Sequence, residues 1–162
     1  MNGKEVLFLM RAVVFSDSHN RTSYVIELIE RHKDNADLFI FLGDGNRDVD
    51  EALYIYPNIK IERVSGNCDF SSTYPSTKTI SFAGKKILMT HGHPYYVKHG
   101  YSMIENEAEK NDADICLFGH THIAYIEKIN DVYYMNPGTL SMGSYGIIDI
   151  ENGKIFAYNN EI

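Results

Sequence analysis

The sequence predicts an α/β fold of two packed mixed β-sheets flanked by helices, a four-layer αββα sandwich. Three features carry that expectation. In the first half, strand-like apolar runs alternate with helical stripes at the spacing of right-handed parallel units. In the second half, paired apolar runs meet across two-residue turns, the mark of antiparallel hairpins. The 162 residues, 44% of them hydrophobic, suffice for one domain that buries about two thirds of its unfolded surface.

Residues 11–16 form an apolar run without alternation, as expected of a strand covered on both faces. Tyr24, Val25, Leu28 and Ile29 make a helical stripe within residues 21–32. Residues 37–42 read as a second buried strand that stops at Gly43-Asp44-Gly45. A shorter helix over 48–56 ends at Pro57, and a third strand over 59–64 runs into Gly66-Asn67-Cys68-Asp69. Beyond Pro75, strands over 77–82 and 85–90 meet at Ala83-Gly84, and a Glu- and Ala-rich helix covers 102–111. A strand over 114–118 leads into Gly119-His120-Thr121-His122. Hairpins pair 123–129 with 132–135 over Asn130-Asp131, and 145–150 with 154–158 over Asn152-Gly153. No repeat, linker or low-complexity tract interrupts, so residues 10–162 read as a single domain.

The first nine residues stand apart. Lys4-Glu5-Val6 can be encoded by a stretch resembling a bacterial ribosome-binding sequence, three codons ahead of Met10. Either translation starts at Met10 and residues 1–9 are a start-site artefact, or residues 6–9 lengthen the first strand. No signal-peptide cleavage pattern follows them, and no apolar run approaches the ~20 residues that span a bilayer. Fifteen Lys+Arg against 22 Asp+Glu give a net charge of −7, which argues against charge-driven binding to duplex nucleic acid or anionic membrane. Two cysteines make no disulfide framework and point to a reduced, cytoplasmic setting.

Five strand ends carry the polar chemistry: Asp17-Ser18-His19, Gly43-Asp44, Gly66-Asn67-Cys68-Asp69, His91-Gly92-His93 and Gly119-His120-Thr121-His122. The carboxyl ends of strands in α/β sheets converge on one crevice, so these groups are expected at one rim. A buried Asp needs a partner, and several such groups together require a cation. Imidazole, carboxylate and amide oxygen in combination suit borderline divalent metals rather than calcium or a thiolate zinc site.

In this order, Asp-x-His, Gly-Asp, Gly-Asn-x-Asp, His-Gly and Gly-His-x-His, the sequence resembles the calcineurin-like metallophosphoesterases. Gly66-Asn67-Cys68-Asp69, Asn136-Pro137-Gly138 and the short length make it similar to the small bacterial and archaeal phosphodiesterases of that superfamily. The resemblance runs from Arg11 to the C-terminus. It implies one metal on Asp17, His19 and His122, a second on Asn67, His91 and His120, and Asp44 as the bridge. The implied activity is phosphodiester hydrolysis at a dinuclear centre, with a hydroxide held between metals about 3.5–4 Å apart. Manganese is the implied activator, with nickel, cobalt or zinc able to substitute. Two divalent ions and two aspartates leave about +2 to attract a phosphate. The resemblance also implies a small phosphodiester as substrate and a tendency to homo-oligomers. A phosphomonoesterase and a non-catalytic scaffold of the same fold, such as a retromer subunit, are the alternatives. Such scaffolds tend to lose a ligand histidine, whereas all seven positions stand here; no basic cluster is present to hold a monoester dianion.

Cys68 departs from the superfamily pattern, in which a histidine often follows the ligand asparagine and protonates the leaving oxygen. A thiol of ordinary pKa about 8.5 is a weak substitute, so Cys68 reads either as a poor acid or as a small buried residue beside the site, and Asp69 and His93 stand as candidate proton donors. Arg47 is either a phosphate clamp or a surface arginine at a helix start. His93, Tyr95, Tyr96, His99 and Tyr101 form either an aromatic wall for a base or aryl group, or ordinary packing. His32 is expected as a cation complementing a helix C-terminus, Cys116 as core, and Asn136-Pro137-Gly138 as the shape of a loop beneath the site.

Overall fold

A strand made of apolar residues alone is stable only where both faces of its sheet are covered. In the computed structural model, which describes residues 8–162, the first strand meets that condition. Ala12 and Val14 face one layer of the core, and Val13 and Phe15 face another. In chain order the first half holds β1 (Leu9–Phe15), α1 (Thr22–His32), β2 (Leu38–Phe41), α2 (Asn46–Ile55) and β3 (Ile61–Arg63). The second half holds β4 (Thr77–Phe82), β5 (Lys85–Thr90), α3 (Ser102–Lys110), β6 (Ile115–Leu117), β7 (Ala124–Ile129), β8 (Val132–Pro137), β9 (Ser144–Glu151) and β10 (Lys154–Glu161). Residues 1–7, on which most of the expected start-site extension falls, lie outside the described residues.

The strands form two five-stranded mixed sheets, ordered β10-β9-β1-β2-β3 and β4-β5-β6-β8-β7. Parallel pairs run from β1 through β2 to β3, the edge of the first sheet, and occupy the middle of the second, β5 to β6 to β8. Antiparallel hairpins form the other edges. Between the sheets lies an apolar layer that includes Val14, Leu38, Ile40, Ile87, Met89, Leu117 and Ile148. Val25, Leu28, Ile29, Val49 and Ala52 seat α1 and α2 on the outer face of the first sheet. Ile104 and Ala108 seat α3 on Leu88, Cys116 and Phe118 of the second. The four-layer sandwich expected from the sequence is the fold.

All three two-residue hairpin turns have both central residues at positive φ: Ala83-Gly84 at 48° and 76°, Asn130-Asp131 at 48° and 65°, Asn152-Gly153 at 50° and 78°. These are the mirror-image turns whose twist matches the flanking strands. Strand lengths depart from the apolar runs, because ladder hydrogen bonds and not apolarity set the ends. β3 keeps only three residues of the expected six, and β10 continues to Glu161.

His32 corrects one expectation. It is buried, its Nε2 lies 3.0 Å from Tyr145 Oη, and burial pushes its pKa down. It is therefore a neutral core partner and not a cation on the helix end. Cys116 is buried core as expected. Among the described residues no helix is long and apolar enough to cross a membrane.

The layer between the sheets sets stability. Ile148→Ala should cost about 2–5 kcal/mol in urea unfolding. Tyr54→Ala, at a side chain 88% exposed on α2, should stay within about 0.5 kcal/mol.

Candidate metal centre

The five strand ends meet at one rim, each sheet supplying part of it. The first sheet delivers Asp17 and His19 after β1, Asp44 after β2 and Asn67 after β3; the second delivers His91 after β5 and His120 and His122 after β6. Two groups of donor atoms form there, Asp17 with His19 and His122, and Asp44 with His91 and His120, each within 4.8 Å. Each group mixes residues from both sheets.

The donors face one another closely. His19 Nε2 and His122 Nε2 are 3.1 Å apart, and Asp17 Oδ1 is 3.1 Å from the latter. His91 Nε2 lies 3.2 Å from His120 Nδ1 and 3.3 Å from Asp44 Oδ2. His91 Nδ1 is 2.8 Å from the carbonyl of Leu42 and must donate to it, because a carbonyl only accepts. That contact fixes the tautomer and leaves the neutral ring's Nε2 lone pair aimed into the cluster. Two further contacts cross between the clusters: Asp44 Oδ2 to His19 Nε2 at 4.0 Å, and Asp17 Oδ1 to His91 Nε2 at 3.9 Å. Converging lone pairs of this kind are mutually repulsive unless a cation lies among them, and the nitrogen–oxygen donor set fits borderline divalent ions.

Electrostatics agree with that reading. Burial alone would raise the Asp44 pKa, but His91 and the Cys68 N–H outweigh it and hold the carboxyl well below its usual range. Burial lowers the His91 pKa, and the Asp44 and Asp17 carboxylates more than reverse it. His120 falls to about 4, through burial and then the nearby His91. A cation at this cluster would compete with a proton for the His91 nitrogen.

The loops that hold the donors are strained and clamped. Asp17, His19, Asp44, His120 and His122 all have φ between 42° and 69°, a region that non-glycine residues rarely occupy. Gly66 and Gly119 allow the two aspartates to fit. A Cβ on Gly66 would lie 2.0 Å from Asp44 Oδ1, and one on Gly119 would lie 2.9 Å from Asp17 Oδ2. Behind the rim, Asp69 accepts hydrogen bonds from the backbone N–H groups of Asp44, Gly45, Asn46 and Gly66, at 2.8 to 3.0 Å, and from Asn46 Nδ2. It thereby pins the turn that carries Asp44 and caps the N-terminus of α2 from outside the helix. Asp48 accepts from Ser18 Oγ, the Asn20 N–H and Thr22 Oγ1, holding the loop that carries His19. Asn136 Nδ2 donates to the Gly119 carbonyl and to Thr121 Oγ1, both at 2.9 Å, so the Asn136-Pro137-Gly138 segment supports the histidine loop as expected.

A family model for the calcineurin-like phosphoesterase superfamily domain matches residues 10–153. The chain belongs to that superfamily. The probable metallophosphoesterase YsnB of Bacillus subtilis (strain 168) is 32% identical to it over 150 residues, covering 88% of this chain and 86% of YsnB. Phosphodiesterase YfcE of Escherichia coli (strain K12) is 26% identical, covering 94% and 95%. The crystal structure of a predicted phosphoesterase from Streptococcus pneumoniae TIGR4 superposes with a TM-score of 0.83 at 25% identity, covering 95% of this chain and 90% of that one. Vacuolar protein sorting 29 from Cryptosporidium parvum shares the fold, with a TM-score of 0.73 at 18% identity, covering 96% and 98%.

Within this superfamily frame the remaining sequence candidates sort by environment. Asn67 is exposed on its turn, with Nδ2 3.4 Å from Cys68 Sγ. Cys68 is exposed at the rim and not buried beside it; its N–H donates to Asp44 Oδ1 at 2.7 Å. Burial and then the Asp44 carboxylate push its thiol pKa up. Asp69 is corrected as a proton donor. Both its oxygens are occupied as acceptors, and those N–H groups outweigh burial to hold its pKa down, so it carries no proton at neutral pH. The His93 ring lies 5.4 Å from that of His91, with a buried Nδ1 that has no partner; burial and then His91 lower its pKa. Arg47 is exposed at the mouth, its Nε 3.2 Å from Glu51. Of the aromatic residues after His91, Tyr95 and Tyr101 are packing, with Tyr101 edge-on to Phe118 at 5.0 Å and tilted against Tyr125 at 4.9 Å, whereas Tyr96 and His99 are exposed. Sequence reasoning missed the Leu42 carbonyl, Asn46 and Asp48. Of these only Asp48 left a signal, an acidic residue at the start of a helix.

Asp69→Asn should lower stability at pH 7 by about 1–3 kcal/mol, the value of charged hydrogen bonds to buried groups. The native Asp69 pKa is depressed, so its contribution is present above the unfolded value of about 3.9 and is lost as pH falls below it. Urea unfolding of both proteins from pH 7 to pH 3 should show the two curves converging on acidification. A constant gap would refute the role.

Proposed function

We propose that this chain is a metal-dependent phosphodiesterase, hydrolysing phosphodiester bonds at a dinuclear divalent centre, with manganese as the cellular cation. The observation that carries the reading is the pair of three-donor clusters, with Asp44 Oδ2 reaching His91 at 3.3 Å and His19 at 4.0 Å from one carboxylate. Asp17, His19 and His122 would hold one ion and His91, His120 and Asn67 the other, with Asp44 offered to both; a pair of divalent ions there would supply activation of water and neutralisation of phosphoryl charge. A neutral Asn67 in place of a third carboxylate keeps the centre cationic toward an anionic ester.

The protein's own side chains do the rest. The Leu42 carbonyl orients His91, and Asp69 and Asp48 hold the two loops so that the donors need not reorganise. With Asp69 committed as an acceptor, Cys68 and His93 remain to protonate the leaving oxygen, and the thiol is a weak donor. Similarity to YfcE supports diester chemistry, as does the single guanidinium, Arg47, that lines the mouth. A non-catalytic scaffold is the alternative that the vacuolar sorting fold neighbour suggests; against it stands the complete set of ligand positions.

Chelated protein should be inactive on bis(p-nitrophenyl) phosphate and regain turnover with Mn²⁺. Asp44→Ala should lose activity by at least about 10³-fold, because both metals lose a ligand. Undiminished turnover in that variant would overturn the mechanism. Aryl diesters should be cleaved far faster than alkyl diesters, and Cys68→His should narrow the gap by up to about 10²-fold. Equal rates on the two substrate types in the unmodified protein would remove the case for a weak leaving-group acid.

A further inference from the structure

A groove of about 560 Å³ lies beside the rim, bounded by Arg47, Cys68, Asp69, Phe70, Ser72 and Tyr74 among others. Arg47, Cys68 and Asp69 also line the mouth that His19 and Asp44 enter, so the two spaces share a wall. The far wall is the loop after β3, and it is held in shape. Ser65 Oγ donates to the Tyr74 carbonyl at 2.7 Å and accepts from Ser72 Oγ at 2.6 Å. The Arg63 guanidinium lies over the Tyr74 ring at 4.4 Å and pairs with Asp50 at 2.6 Å.

The charges in these walls are mostly committed to the fold. Asp69 is saturated by N–H donors and Asp50 is paired with Arg63, which leaves Arg47 as the exposed cation, 88% open and touching only Glu51. The apolar feature is Phe70, 93% exposed, two residues beyond Cys68. A phenyl ring left in solvent contributes nothing to the core, and here it lines the same groove as Ser71 and Thr73, with Ser72 committed to Ser65 and the Tyr74 N–H. A ring face with polar groups at its edge suits a planar heterocycle with hydrogen-bonding edges better than an alkyl chain. The groove's size falls within the range of small-ligand sites.

We propose that this groove is the subsite for one ester arm of the substrate and that it takes an aromatic ring system, a nucleoside in preference to an alkyl group. The base stacks on Phe70, and Arg47 holds a non-bridging phosphoryl oxygen at the junction with the metal centre. The assignment deepens the phosphodiesterase reading and rests on it for the word substrate; Phe70 acts as a specificity-determining residue.

Calorimetric titration of the manganese-loaded protein with thymidine 5′-monophosphate and with 2-deoxyribose 5-phosphate isolates the base. The nucleotide should bind about tenfold more tightly, the scale of one stacked base. Phe70→Ala should abolish that gain, and Phe70→Tyr should keep it. Phe70 is exposed, so neither change disturbs the core. No gain from the base, or a gain that survives Phe70→Ala, overturns the proposal. A gain that survives while the sedimentation mass changes would assign Phe70 to a contact between copies and overturn it as well. Failure of the phosphodiesterase reading is distinguishable: no diester would be hydrolysed with Mn²⁺, yet the base-dependent binding at Phe70 would remain.

Discussion

Six donor groups that repel one another cannot hold themselves together. Asp17, Asp44, His19, His91, His120 and His122 turn lone pairs toward a shared space a few ångströms wide, and the rim exists because other groups force them there. Asp69 does the most. One carboxylate gathers four backbone N–H groups from two loops that come from neighbouring strands, and it holds the turn in which Asp44 is left-handed. Strain at the donors is thus matched by satisfied polar groups immediately behind them. Ligation and support fall to different residues, which lets the support remain rigid whatever occupies the rim.

Much of this was legible in the sequence, for a definite reason. Apolar runs such as 37–42 and 114–118 end abruptly in Asp, Asn and His, and a strand end in an α/β sheet has a known destination. Two-residue turns such as Asn152-Gly153 announced the hairpins. Other features depend on neighbours that sequence does not name. Asp69 looks like a proton donor until the amides of residues 44–46, more than twenty positions earlier, are seen to surround it. His32 sits on the last turn of a helical stripe, and periodicity gives its angle around the axis but not its depth against Tyr145. The aromatic cluster at 95–101 lay close in sequence to His91, yet its Tyr101 turns onto Phe118 on the other face of the sheet.

The two-sheet architecture explains how a short chain builds so dense a site. The parallel strands of the first sheet lead into two carboxylates, an amide and one imidazole, His19, and β5 and β6 of the second lead into three imidazoles. Neither sheet alone presents a complete donor set, so stacking them is what creates it. The same stacking buries the apolar layer of Val14, Ile40, Met89 and Leu117, and hydrophobic packing thereby sets the distance between the two halves of the centre.

His122 and Asp17 touch across 105 positions of sequence. An ion seated between them is a cross-link, closing a loop that spans most of the chain and removing freedom from the unfolded ensemble in the way a disulfide does. The second cluster also draws on both sheets, so ions seated in the rim would add a fastening between the layers to the apolar packing already there.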